Sequence, residues 1–308
     1  MQTFFNVTML AASGEGKTTF LSSMDENIRN DLSSNIGLNL SLNPELAARL
    51  DQNKERLKAS LSKGTITCFD GIQSTADASS YPLEISHKDS DPFLVVSFTD
   101  IPGNWITDDS EKVISYLKNS SVIVIPVDAS AIMNDLTEQK TNAENLFRVL
   151  KPGLEQSSEP RLILFIPTKC ETYINNEAAS TRLVNKIKMV YKEIFDHITW
   201  TSHVKSAIIP IQTLGNCSLM YHKKVKIDNE EVWKPIFSVT QRNQYNPQAI
   251  EYPYMYLLSF ILEQHYLNRK KGFMGFFRNL FRELNYLKLT NEKLNSQCKS
   301  YSQLKVIS

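Results

Sequence analysis

From Ala11 to Thr18 the chain reads Ala-Ala-Ser-Gly-Glu-Gly-Lys-Thr. Glycines at 14 and 16 free the backbone to turn successive N–H groups inward, which makes a concave nest for anions. Lys17 adds an ammonium directly behind the nest, and the hydroxyl of Thr18 suits a hard cation. Together these are the parts of a loop that cradles a polyphosphate with Mg²⁺. Ser13, Gly14, Glu15, Gly16, Lys17, Thr18 and Thr19 are its candidate ligand-binding residues. Ala11 stands where the strict pattern has glycine, a modest departure because the position chiefly needs the absence of bulk. A plain helix N-terminus holding Gly-Lys-Thr is the bland alternative. It is disfavoured because an apolar, strand-like Phe4–Leu10 precedes the loop and a helix-compatible 19–24 follows it.

Three more polar clusters close apolar runs. The run 93–98 ends in Asp100-Ile-Pro-Gly103. An aspartate there can hold Mg²⁺ beside Thr18, and Gly103 can offer its N–H to a terminal phosphate. Asp-x-x-Gly alone is also a common turn. The run 162–166 ends in Pro167-Thr168-Lys169-Cys170-Glu171, and Ala207–Ile211 leads into Gln212-Thr213-Leu214-Gly215. A solvated Lys/Glu turn is the structural alternative for the first of these.

The elements needed to position these residues are legible as apolar runs of strand length. Between them lie segments with helical periodicity, such as Leu183, Val184, Ile187, Val190 and Ile194. Buried strands alternating with amphipathic helices predict an α/β, doubly wound, mostly parallel sheet. Two insertions interrupt the alternation. A helical one at about 31–64 opens with Asn43-Pro44, carries Leu46, Leu50, Leu57 and Leu61 on one face, and stops at Gly64. A hairpin-like one spans about 216–246 around Asp228-Asn229. Residues 269–308 form a helical tail in which Phe277, Leu280, Leu284, Leu287, Asn291 and Leu294 make a short heptad seam. Packing on the domain itself, pairing with a partner or second copy, and lying on a membrane surface all remain open for it.

Composition narrows the class. Thirty-four basic against thirty-three acidic residues leave a formal charge of +1, which gives no global case for nucleic acid. The four cysteines lack the spacing of a zinc site and suit a reducing, cytoplasmic setting.

In order and spacing, the motifs from the phosphate loop through Asp-x-x-Gly and Thr-Lys-x-Glu to the last strand loop resemble a TRAFAC-clade GTPase. In detail the chain is similar to the bacterial double-GTPase-like proteins of conflict and antiphage systems. The likeness spans about 4–265 and includes Tyr245-Asn246-Pro247 and Glu251-Tyr252-Pro253. It implies a Ras-like G domain over 1–268 with GTP or GDP as ligand, GTP as substrate and Mg²⁺ as cofactor. Thr168, Lys169 and Glu171 would then read guanine, the acid accepting two hydrogen bonds and the lysine packing along the base; Thr213 and Leu214 would make the last base contact. Glu171 is one methylene longer than the family's aspartate, which leaves an adenine nucleotide open. The resemblance also implies a first-switch threonine. Thr75 is the candidate, with Thr65 and Thr67 as competitors, giving Thr18, Thr75 and Asp100 as metal ligands. Lys17, Thr75 and Asn104 are the catalytic candidates. Asn104 stands where the family has a longer water-orienting side chain, so hydrolysis is expected to be slow or partner-dependent. A protein partner would meet the switch loops or the C-terminal helix, and a homo- or hetero-dimer is possible.

Overall fold

In a computed structural model of the chain, residues 2–27, 37–67, 77–87, 90–227, 230–270 and 283–307 are described. Thr75 and the seam residues Phe277 and Leu280 lie outside them. Among the described residues, eleven strands are ordered in two sheets. They are β1 Thr3–Met9, β2 Asn39–Leu42, β3 Thr65–Ile66, β4 Ser79–Ser86, β5 Leu94–Asp100, β6 Val122–Asp128, β7 Arg161–Thr168, β8 Val204–Ile208, β9 Cys217–Ile227, β10 Glu230–Val239 and β11 Lys305–Val306. The main sheet has eight strands in the order β11-β8-β7-β6-β1-β5-β4-β2. Its centre, β5, β1, β6, β7 and β8, is parallel; β4 and β11 pair antiparallel with β5 and β8, and β2 pairs antiparallel with β4 at the outer edge.

Helices cover both faces, so the central strands must be apolar on both sides, and every residue of β6 and β7 is buried. On one face α1 (Lys17–Asn27), α2 (Pro44–Ser60), α9 (Glu251–Lys270) and α10 (Glu283–Ser300) pack on Val7, Met9, Val124 and Leu164. On the other, α3 (Trp105–Asp108), α4 (Ser110–Lys118), α5 (Ala129–Met133), α6 (Glu138–Glu155), α7 (Glu177–Val190) and α8 (Lys192–Thr199) pack on Ile123, Ile125, Ile163 and Phe165. The architecture is the doubly wound α/β class. Among the described residues no helix is long and apolar enough to cross a membrane.

The helical insertion forms as its signals predict. Asn43 Oδ1 accepts from Leu46 N at 2.9 Å, Pro44 opens the helix, and Gly64 ends the following turn at φ 78°. The second insertion is a long hairpin, β9–β10, which pairs with β3 in a separate three-stranded sheet over Leu61, Ile66, Cys217 and Phe237. In the tail, Leu287, Leu294 and Cys298 enter the main core against α9, the seam's Asn291 accepts from Ser259 Oγ at 2.5 Å, and β11 extends the sheet beside β8. Of the seam, Leu287, Asn291 and Leu294 therefore meet α9 within the chain. Position 268/269 falls within α9, which packs on α10.

Candidate functional site

In open α/β sheets ligands bind at the carboxyl ends of the strands, where the chain order reverses. Here the chain moves from β1 to β5 on one side and then to β6, β7 and β8 on the other, so the crevice opens at the end of β1. Strand register sets which residues meet there. Met9 lies opposite Asp100, and Asp128 opposite Thr168. Beyond β8, Ile209 N and Ile211 N donate to Phe165 O and Pro167 O at 2.9 Å, bringing 213–215 beside 168–171.

The loop after β1 has the alternating geometry that its glycines allow, with φ 85° at Gly14 and 95° at Gly16. Lys17 is buried and donates to Ala11 O at 2.6 Å and Ala12 O at 3.3 Å. Burial pulls its ammonium below the ordinary lysine value, against Asp100 and Glu15, which hold it up. A buried cation in this condition gains from an added anion. Thr18 Oγ1 donates to Asp100 Oδ2 at 3.2 Å, and Thr19 is half-buried in the first turn of α1. Gly103 lies against the loop so closely that a Cβ there would sit 2.3 Å from Ser13 N and 2.6 Å from Ala12 C. The loop after β5 and the loop after β1 thus touch backbone to backbone.

Thr18 and Asp100 supply hard oxygen donors at one place, and that pair fits Mg²⁺. Among the described residues no cluster of three or more His, Cys, Asp or Glu is positioned for a metal. Mg²⁺ is commonly held by one or two carboxylates together with phosphate oxygens and water.

Glu15 enters the loop through its backbone only. Its buried side chain turns away: one oxygen accepts from Asp128 N, the other from Gln139 Nε2 at 3.0 Å and Asn142 Nδ2 at 3.2 Å. Burial, then Asp128, pushes its carboxyl above the usual range. Its carbonyl accepts from Thr168 Oγ1 at 2.8 Å. Lys169, at φ 55°, donates to Gly14 O at 2.8 Å and pairs with Asp128 Oδ2. Burial alone would raise the Asp128 carboxyl, but Lys169, Ser130 and the Ala131 N–H together hold it below the ordinary value. Lys169 is correspondingly held up by Asp128 against burial. The sequence motifs do not include Asp128, although an acid closing an apolar strand is the same signal that singles out Asp100.

At the other end, Glu171 Oε1 accepts from Leu214 N at 2.9 Å, with Thr213 Oγ1 and Gly215 N each at 3.5 Å. Glu171 is 6% exposed, and its Oε2 has no hydrogen-bond partner among the described residues. Burial raises its carboxyl, opposed by the loop amides led by Leu214. The 213–215 loop is clamped from behind: Gly215, at φ 81°, lies so close to Asn246 that a Cβ would be 1.8 Å from its carbonyl oxygen.

Asn104 follows Gly103 in the chain, but its side-chain amide donates to Asp108 Oδ2 at 3.0 Å within its own short helix. The side chain is exposed and engaged locally. A cavity of about 330 Å³ adjoins Ser13, Gly14 and Gly103 and is walled on another side by Val232, Trp233 and Lys234 of β10. Those hairpin residues carry no signal in the sequence.

Neither a protein-family model nor a curated protein matches the chain by sequence. Solved structures with similar folds include the signal recognition particle receptor SRb in its GTP/SRX complex from Chaetomium thermophilum. It is 16% identical, with 70% of this chain and 93% of that one covered at a TM-score of 0.43. Another is the ADP-ribosylation-factor-like, small COPII coat GTPase SAR1 of Encephalitozoon cuniculi bound to GDP, at 10% identity, 69% and 71% coverage and a TM-score of 0.35. A GTP-binding protein of Sulfolobus solfataricus in complex with GDP matches at 13% identity, 68% and 47% coverage and a TM-score of 0.35. Likenesses this distant carry no argument about the chemistry of this chain, which rests on its own residues.

Proposed function

We propose that the chain binds a guanine nucleoside triphosphate with Mg²⁺, hydrolyses it slowly, and acts as a nucleotide-dependent switch. One observation carries this reading. The Thr168-Lys169-x-Glu171 segment is bonded to the phosphate loop at Glu15 O and Gly14 O, and it leaves a buried carboxylate oxygen of Glu171 without a partner among the described residues. A buried acceptor without a donor is costly, and a purine edge carrying N–H groups would satisfy it. Guanine offers two such donors side by side, whereas the corresponding edge of adenine is not a donor pair.

In this reading the loop amides and Lys17 hold the phosphates, and Thr18 and Asp100 hold Mg²⁺, which supplies charge neutralisation on the phosphate oxygens. Thr75, from outside the described residues, is the proposed third ligand. Thr168 and Lys169 lock the base segment to the loop, and Thr213 and Leu214 orient Glu171. Gly103, pressed on Ser13, is placed to register what occupies the loop. A protein partner would read that change. Buried, unpaired Cys170, Cys217 and Cys298 support a reducing, cytoplasmic setting. The defence role implied only by the resemblance to conflict-system proteins is tested by phage plating on cells carrying the wild-type or the Lys17→Ala chain.

Competition binding with GTP, GDP, ATP and ADP tests the central claim, with Lys17→Ala as control. Preference for guanine nucleotides that is lost in Lys17→Ala supports it; equal affinity for both bases sinks the guanine assignment. A second reading, a nucleotide-stabilised interaction module with negligible turnover, is favoured by the engagement of Asn104 with Asp108. Phosphate release by the purified chain, alone and with cell extract, separates the two.

A further inference from the structure

The β9–β10 hairpin is fastened over the site at two points besides its own sheet. Leu219 N donates to Thr172 Oγ1 at 3.0 Å, and His222 Nε2 lies 3.2 Å from Ser130 Oγ. Thr172 follows Glu171 directly, and Ser130 hydrogen-bonds Asp128, so both anchors belong to the strand-end loops that build the site. Fastened there, β10 carries Lys234 to the phosphate loop. Its Nζ is so near Gly14 that a Cβ on that glycine would be only 2.8 Å from it. Lys234 is half-buried, and with Gly103 it walls the cavity that adjoins Ser13 and Gly14.

We propose that Lys234 is a phosphate-contacting residue supplied in cis by the hairpin, a second ammonium that touches the terminal phosphate of a triphosphate seated in the 11–18 loop. The inference rests on the nucleotide-binding reading above and adds to it a residue from an element outside the sequence motifs. Among the described residues, Lys17, Lys169 and Lys234 reach this loop by different routes. Lys17 is bonded inside the loop to the carbonyls of Ala11 and Ala12. Lys169 is committed to Gly14 O and to Asp128. Lys234 approaches Gly14 from the hairpin, next to the place where Gly103 is pressed on Ser13. A cation delivered at this point stabilises charge on the outermost phosphate, the one a diphosphate lacks. Because the hairpin is also tied to Thr172, the contact would couple the phosphate end of the site to the base end.

The test measures affinities of the full chain for GDP and for a non-hydrolysable GTP analogue, with single-turnover GTP hydrolysis, in wild type, Lys234→Met and Lys234→Arg. Lys234→Met keeps most of the aliphatic stem and removes the charge; Lys234→Arg keeps the charge. Loss of one charge-assisted contact should weaken the triphosphate analogue by roughly 10- to 100-fold while leaving GDP within about 3-fold. Lys234→Arg should restore most of the loss, and thermal melts of the nucleotide-free variants should coincide with wild type. Equal weakening of GDP and the analogue, or no weakening of either, overturns the role of Lys234 and leaves the site standing. If Lys234→Met melts early, Lys234→Arg decides: retained triphosphate preference supports the contact, and its loss refutes it. Wild-type chain that binds no nucleotide sinks the parent reading instead.

Discussion

Replacing Gly215 with alanine should damage the loop that orients Glu171 and, with it, the fold. Gly215 sits at φ 81°, where an L side chain costs about 1–2 kcal/mol. A Cβ at that position would also lie 1.8 Å from Asn246 O and 2.5 Å from Asn246 C. Both atoms are backbone, held by the paired bonds Asn246 N to Leu214 O at 3.2 Å and Gln212 N to Gln248 O at 3.0 Å, so they cannot swing aside. Forcing atoms into such a contact adds about 1–3 kcal/mol. The expected total is about 2–5 kcal/mol of lost stability, read as a lower urea midpoint with little change in slope. Guanine affinity should fall as well, because Leu214 N would leave Glu171. Gly64→Ala is the internal control. Its φ is 78°, but the nearest atom to its Cβ is the guanidinium end of Arg242 at 2.9 Å, a flexible tip that can move. Only the backbone cost of about 1–2 kcal/mol should remain there. Equal midpoints for the two variants would refute the steric part of the reasoning.

Four further outcomes follow from the same structure. Burial raises the Glu171 carboxyl while a guanine edge needs the carboxylate, so guanine affinity should weaken on mild acidification at a pH where an ordinary glutamate is still ionised. For Glu15 and Glu171, folded values above the unfolded ones mean that the nucleotide-free chain gains stability as pH falls through them; a titrated melt that shows the opposite slope in that window contradicts the assignment. Arg161→Ala removes donors to Leu117 O at 3.1 Å, Gly153 O at 2.8 Å and Lys118 O at 2.6 Å, which close the C-terminal ends of α4 and α6. It should cost roughly 3 kcal/mol, and a thermal midpoint equal to wild type would show those carbonyls are satisfied by water. Ending the chain before residue 283 uncovers the α9 surface that Leu287, Leu294 and Cys298 cover. Aggregation or a lower midpoint is expected; a soluble product that differs from wild type only by losing a dimer would instead support an intermolecular seam.

Much of the site is legible in the sequence because its chemistry is local. A nest of amides needs small residues at fixed spacing, and a lysine and hydroxyl must follow within one helical turn, so 11–18 announces itself without reference to the rest of the chain. Strand-end polar residues such as Asp100, Thr168 and Glu171 stand out against apolar runs. The capped helix of the first insertion is equally plain, since Asn43, Pro44 and Gly64 act on their own neighbours. Asp128 closes its strand in the same way but stands outside the motifs, and only its partners Lys169 and Glu15 reveal its place in the site. For the tail, a seam of apolar residues says only that something covers it; in the structure Leu287 and Leu294 lie in one core with α9.

Sequence alone therefore determined the glycine-rich make-up of the 11–18 loop, the α/β class and the strand-end polar groups, because each depends on torsional freedom, periodicity or capping within a few residues. Tertiary structure decided that Glu15 turns to Asp128 and Gln139 rather than into the loop, that Gly103 lies on Ser13, and that a lysine from a chain-distant hairpin comes to Gly14. Those meetings are set by strand order and register, which place remote ends of the chain side by side, and no residue's own preferences encode which neighbour it will receive.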